Sequence, residues 1–312
     1  MVKTKKKATI GRKGEMIFQA CLLAWPILQF CVFYIGVNAN SFAMAFGPDV
    51  NVNYGGFFGK YKYVFNEMWP SIKQAMGMSV LFYVISTAIS VPLALLFAYY
   101  IYKKCWGNMF FRLFLFLPSI LSSMVMVTLF HQFVDFALPA MVADIVGKEY
   151  SEVGSIVKWK ETSSYIWVLA FHIWIGFGTT TLIYSNKMSE ISPEMVEAAA
   201  LDGATNVQEF WYIILPFTYP TLSVFLVTGL ATIFTNQYHL YSFYSSSITS
   251  GLKSGTIGYY IYNGVQGPAS AQDWESPSFE RYAAVSLFVT AIIIPVALTA
   301  RWAVDKFGPS ED

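Results

Sequence analysis

An all-α integral membrane protein with six spans is the fold class this sequence predicts, and three observations predict it. The chain of 312 residues is 55% hydrophobic and 18% aromatic. Only 12% of it is charged, about half the share in an ordinary soluble domain. The apolar residues also fall in blocks, each near the roughly 20 residues a helix needs to cross the hydrocarbon core.

Six blocks qualify: Met16–Val37, Ala75–Tyr102, Phe110–Val134, Ser164–Ser185, Thr221–Tyr241 and Tyr282–Trp302. The first follows the basic stretch "MVKTKKK", and Ala43-Met44-Ala45 resembles a signal cleavage site. Its apolar core is longer than the roughly 7–15 residues of a signal peptide, so it reads as a retained first span. A single membrane domain, 16–306, is expected between a basic tail, 1–15, and a short tail, 307–312.

Six spans put both ends on one side, and basic residues indicate which. Lys103, Lys104, Arg112, Lys187, Arg301 and Lys306 sit tight against span ends, as does the basic N-terminus. Lys60, Lys73, Lys148 and Lys253 are scattered over longer connections. The first set is expected to be cytoplasmic, with both termini, in a cell membrane. The formal net charge of +1 leaves no nucleic-acid footprint, and the basic start suits anionic lipid. Cys21, Cys31 and Cys105 are expected to be packing residues rather than a disulfide set.

The orientation leaves one long cytoplasmic loop, 186–220. Within it, Ser192 is a candidate N-cap, Pro193 suits the first helical position and Glu194 complements the helix dipole. Gly203 permits the left-handed residue that ends this helix. Asn206 and Glu209 have capping-box spacing for a second helix carrying Phe210, Trp211, Ile213 and Ile214, and Pro216 marks the join to the next span. Ala198, Ala199 and Ala200 let another surface approach closely, while Glu197 and Asp202 offer carboxylates to a basic partner. The loop helix therefore reads as a docking element; the alternative is an amphipathic helix on lipid headgroups. A DNA-binding helix-turn-helix is disfavoured by the flanking spans and the lack of a basic face.

The stretch "SPEMVEAAALDGATNVQEFWYIILPFTYP" resembles the EAA loop of ABC importer permeases, and within them the maltose-type, carbohydrate-uptake branch. Trp174, Gly178 and "IGYYIYN" at 257–263 extend the likeness, whereas "SSSITSGLKSGT" departs from the Thr-Gly-Gly-Pro-like turn common there. The resemblance implies a type I permease fold in which this loop inserts into a cleft of a cytoplasmic ATPase subunit. Glu197 would then contact a basic ATPase residue, Ala198 and Ala199 would pack in the cleft, Asp202 would stand before the bend, and Gly203 would set its angle. It further implies a second homologous permease, two ATPase subunits holding ATP and Mg, and an extracytoplasmic sugar-binding protein. The expected function is import of a carbohydrate, an oligosaccharide in particular. A polyol phosphate or peptide permease, and a secondary transporter, are the alternatives.

No G-x-x-x-x-G-K-[ST], H-E-x-x-H or G-x-S-x-G occurs, so the chain is not expected to be an enzyme or to hold a cofactor or catalytic residues. Nor do His131, His172 and His239 form a metal-ligand pattern. The scarcity of acids deep in the spans disfavours a proton- or sodium-coupled pump and a charged substrate. Thr228, Thr232, Thr235, Asn236, His239 and Ser242 recur at spacings of three and four, which predicts one polar face on a fifth-span helix. Asn236, His239, Thr232 and Thr235 are the candidate substrate contacts, with Tyr238 as a stacking ring and His172 as a second-wall candidate. Helix-to-helix packing is the competing reading for this stripe.

Overall fold

The computed structural model describes residues 12–48, 54–157, 164–244, 255–266 and 278–309. The basic residues Lys3 to Lys7 and most of "SSSITSGLKSGT" lie outside them. In chain order the helices are α1 (Gly14–Ala45), α2 (Gly59–Tyr102), α3 (Asn108–Ile120), α4 (Ser123–Val146), α5 (Tyr150–Val157), α6 (Tyr165–Met188), α7 (Pro193–Leu201), α8 (Asn206–Ala231), α9 (Leu240–Tyr244), α10 (Ile257–Gln266) and α11 (Phe279–Phe307). Among the described residues, six of these are long and apolar enough to cross a membrane: α1, α2, α4, α6, α8 and α11. The expected first, second, fourth and sixth spans all appear and run past their apolar windows. A helix continues through polar residues beyond the hydrocarbon as long as its backbone bonds are made.

The chain divides into two compact units, Met1–Asn66 with Ser276–Leu287, and Glu67–Glu275 with Phe288–Asp312. The first is fastened by Lys60, only 5% exposed. Its Nζ donates to the carbonyls of Met44 at 2.8 Å and Phe46 at 3.3 Å, and pairs with Glu280 at 2.5 Å. A cation at the C-terminal end of α1 meets the negative end of that helix dipole. Cys21 and Cys31 are exposed on α1 rather than packed as expected.

In the second unit, α2 lies along α6, and α3 packs on α6 as well. Gly178 sets that second contact: a Cβ there would collide with the carbonyl of Leu115. One apolar cluster gathers Phe82, Met126, Val168, Phe171, Tyr238 and Phe243. Another, at the end bearing α7, gathers Ala94, Leu95, Ala98, Tyr184, Met188, Ile191 and Ile214.

Two expected spans are corrected. The third, Phe110–Val134, is two helices, because Leu121 and Ser122 are extended (ψ 152° and 133°) just after Pro118. Pro118 donates no backbone hydrogen bond, and Ser119 Oγ donates to the carbonyl of Phe116 at 2.7 Å in the final turn. The fifth, Thr221–Tyr241, starts earlier and stops earlier: α8 runs from Asn206 through a wide π turn at Phe210–Ile214, then past Pro216 to Ala231. Pro216 is thus inside one continuous helix, next to the π turn that relaxes its neighbourhood.

Candidate functional site

The helix α8 ends where Thr232 begins a run of turns that reaches Gln237–His239 before α9. Its hydroxyls turn back on the chain: Thr232 Oγ1 donates to the carbonyls of Thr228 at 3.0 Å and Gly229 at 3.2 Å, and Thr235 Oγ1 to Thr232 at 3.1 Å. Asn236 Oδ1 accepts from the Tyr238 amide at 2.8 Å. Tyr238 and His239 then take left-handed backbone angles (φ 50° and 62°). Short polar side chains that bond their own backbone compete with the helix in this way. The expected single helical face across 228–242 therefore does not form.

Helix α10 holds the break from outside. Thr256 Oγ1 donates to the carbonyl of Asn236 at 3.1 Å and accepts from the Tyr259 amide at 3.3 Å, which also caps α10. Gly258 has no room for a Cβ, which would meet the carbonyls of Thr235 and Asn236 at 2.6 and 2.7 Å. The Ile257 amide donates to buried Ser79 Oγ on α2 at 2.8 Å, so α10, the break and α2 form one assembly. "IGYYIYN" is this helix.

Between α2, α6 and the end of α8 lies a cavity of about 180 Å³. Asn236, Tyr238, Thr232 and Gly229 form one wall, His172, Ile173, Gly176 and Thr180 a second, and Tyr83, Ser86, Thr87 and Ser90 a third. Of the sequence candidates, Asn236, Thr232, Tyr238 and His172 come together here. Thr235 is exposed outside this lining. His239 stands behind it, its ring 5.3 Å from Phe171 and 5.8 Å from His172. Tyr238 is 3% exposed and meets the His172 ring edge-on at 4.6 Å. His172 Nδ1 is buried without a hydrogen-bond partner, a state that calls for water or a ligand group.

The third wall is what the sequence reading missed. Tyr83, Ser86, Thr87 and Ser90 recur at i, i+3, i+4 and i+7, the spacing of one helical face, and that stripe is visible in the α2 sequence. Tyr83 is fixed by its hydroxyl, which donates to the carbonyl of Leu226 at 2.9 Å, and Gly229 lets its ring come close.

The loop helix α7 forms the second candidate element. Ser192 occupies the N-cap position with extended backbone (ψ 131°) but its side chain makes no capping bond. The other end closes as expected at Gly203 (φ 82°): the Ala204 amide donates to Ala199 at 3.0 Å and the Gly203 amide to Ala200 at 3.1 Å. That paired pattern is the Schellman cap, which satisfies carbonyls the helix would leave bare. The capping box after it sits one residue before the expected Asn206 and Glu209: Thr205 and Gln208 exchange the reciprocal bonds. Glu197, Ala198, Asp202 and Gly203 are exposed, Ala199 is half-buried, and Leu201 is 89% exposed. The side that faces its own chain is held by Val196, which packs on the cluster around Ala98 and Ile214.

Residues 90–311 match the family model described as the inner membrane component of binding-protein-dependent transport systems. The chain is 25% identical over 248 residues to a multiple sugar-binding transport system permease protein of Streptococcus mutans, covering 80% of each. It is 25% identical over 263 residues to an arabinooligosaccharides transport system permease protein of Halalkalibacterium halodurans, covering 81% of this chain and 79% of that one. In three dimensions it is similar, at a TM-score of 0.73 and 18% identity, to a chain of a bacterial ABC transporter that imports the acidic polysaccharide alginate, covering 95% and 97% of the two. That likeness shows the type I ABC importer permease fold. With six membrane-length helices and a family match over most of its length, the chain belongs to the multi-pass inner membrane components of binding-protein-dependent transport systems.

Proposed function

We propose that this chain is the permease subunit of an ATP-driven importer that moves a neutral carbohydrate, in particular an oligosaccharide. The observation that carries the reading is the cavity lining, which among the described residues joins hydroxyl, amide and aromatic groups from three spans with no carboxylate, ammonium or guanidinium. Such groups match the hydroxyls and ring faces of a sugar and offer nothing to balance a phosphate. Relatives named for sugar transport support the same class. At about 180 Å³ the cavity falls below the roughly 300–1,000 Å³ of common ligand sites, so it fits one sugar unit's edge rather than a whole chain. A second, homologous permease supplies the remaining wall in this reading.

Helix α7 is the point where two cytoplasmic ATPase subunits, which carry ATP and Mg, engage the pair of permeases. Its exposed Glu197, Ala198, Leu201 and Asp202, with half-buried Ala199, make the contact, and Gly203 sets the bend into α8. The termini are cytoplasmic, and the opposite loops receive sugar from the extracytoplasmic binding protein. Co-expression with the other subunits, followed by uptake of labelled oligosaccharides into vesicles, tests this. The reading requires ATP-dependent uptake that is absent from vesicles holding this chain alone. Uptake by the lone chain down a gradient would replace it with a secondary transporter.

A further inference from the structure

Helix α7 is covalently continuous with α6 and α8 only, yet the α2 wall supplies Tyr83, Ser86, Thr87 and Ser90 to the cavity. Motion entering at α7 reaches α2 only through non-covalent contacts. Besides the packing of α2 along α6, one such set of contacts joins the end of α2 to the start of α8. Lys103, the C-cap residue of α2, places Nζ 2.6 Å from Glu209 Oε2 in the first turn of α8. The Glu209 side chain is 8% exposed and that of Lys103 28%. Lys103 Nζ also lies 5.6 Å from the centre of the Tyr99 ring. The Tyr99 hydroxyl donates to the carbonyl of Asn206 at 3.2 Å, and its ring meets Phe210 edge-on at 5.3 Å.

Polarity favours the arrangement twice over. Lys103 sits at the negative end of the α2 dipole and Glu209 at the positive end of the α8 dipole, so each charge suits its own helix before the two pair. Burial makes the link selective, since a carboxylate removed from water needs its cation, and separating the two exposes an unpaired charge. Ion pair, hydrogen bond and ring contact all join the end of α2 to the start of α8, within a few residues beyond the Gly203 bend.

We propose that Lys103 and Glu209 are a positioning pair, which together with Tyr99 locks the end of α2 to the start of α8, so that displacement of α7 moves the α2 wall of the cavity with it. The pair touches neither solute nor nucleotide; it acts through the helices it joins. This rests on the reading of α7 as the point of ATPase engagement.

The test uses the complete importer in vesicles and measures solute moved per ATP hydrolysed, beside co-purification of the ATPase subunits. Lys103→Met and Glu209→Gln are expected to lower the transport-to-hydrolysis ratio about 3- to 30-fold, the span of ordinary coupling energies, with ATPase subunits still bound. The exchanged double variant, Lys103→Glu with Glu209→Lys, recovers part of the ratio. Tyr99→Phe, which removes only a hydroxyl, gives a smaller fall and keeps the measurement open if a charge variant fails to fold. An unchanged ratio in all three single variants overturns the proposal. So does loss of ATPase subunits from the single variants, which would assign the pair to building the loop. Failure of the unaltered chain to hold ATPase subunits at all would instead sink the reading of α7, and the proposal with it.

Discussion

The carbonyl of Leu115 occupies the place a Cβ on Gly178 would need, so α3 and α6 touch backbone to backbone at that point. Gly178→Ala must push the two helices apart or distort one of them. The expected cost is about 1–3 kcal/mol, as for other overpacked sites, read as a lower melting temperature in detergent. Gly77→Ala is the control: its Cβ would meet nothing within 4 Å inside a helix, so about 0.5–1 kcal/mol of stabilisation is expected.

Asn236 has two separable roles. Its Oδ1 builds the turn through the Tyr238 amide, which leaves the Nδ2 donors to serve the cavity it lines. Asn236→Asp keeps the acceptor and replaces the donors by a charge, so the variant should assemble normally yet lose most uptake. Asn236→Ala should reduce both. Equal uptake by wild type and the Asp variant, measured with labelled sugar, would remove Asn236 from the solute path.

Open space surrounds Gly203, but its φ of 82° does not suit a side chain. Gly203→Ala should therefore cost about 1–2 kcal/mol at the cap, and Gly203→Asn less, because Asn tolerates the left-handed region. The expected readout is a graded loss of ATP-dependent uptake, wild type above Asn above Ala. Indistinguishable uptake in the three would mean that the bend carries no mechanical role.

Lys60→Met removes a cation from two carbonyls and from Glu280. Glu280 remains 43% exposed and stays hydrated, so the loss is held to about 1–3 kcal/mol. Limited proteolysis near Phe46–Phe58 should accelerate while cavity variants leave that region unaffected.

Legibility in the sequence followed the range of the forces involved. The first, second, fourth and sixth spans and the Gly203 cap depend on nearby residues, and these were readable. The second cap was displaced by one position because Thr205-x-x-Gln208 and Asn206-x-x-Glu209 both satisfy the pattern. What separates them is Lys103, which claims Glu209 from 106 positions away in the chain. The break after Ala231 carries no Gly or Pro to announce it; Thr256 and Gly258 secure it from α10, a partner that no local window contains. The α2 stripe was legible by spacing, but its high average hydropathy hid four polar residues among many apolar ones.

The left-handed pair Tyr238 and His239 bears on how such a transporter diversifies. Side chains branched at Cβ are nearly barred from those two torsions, and Gly258 freezes the chain behind them. One wall is therefore evolutionarily stiff. Retuning for a new cargo should accumulate at Ser86, Thr87 and Ser90 and at His172, Gly176 and Thr180, where helical geometry does not bar a change of side chain.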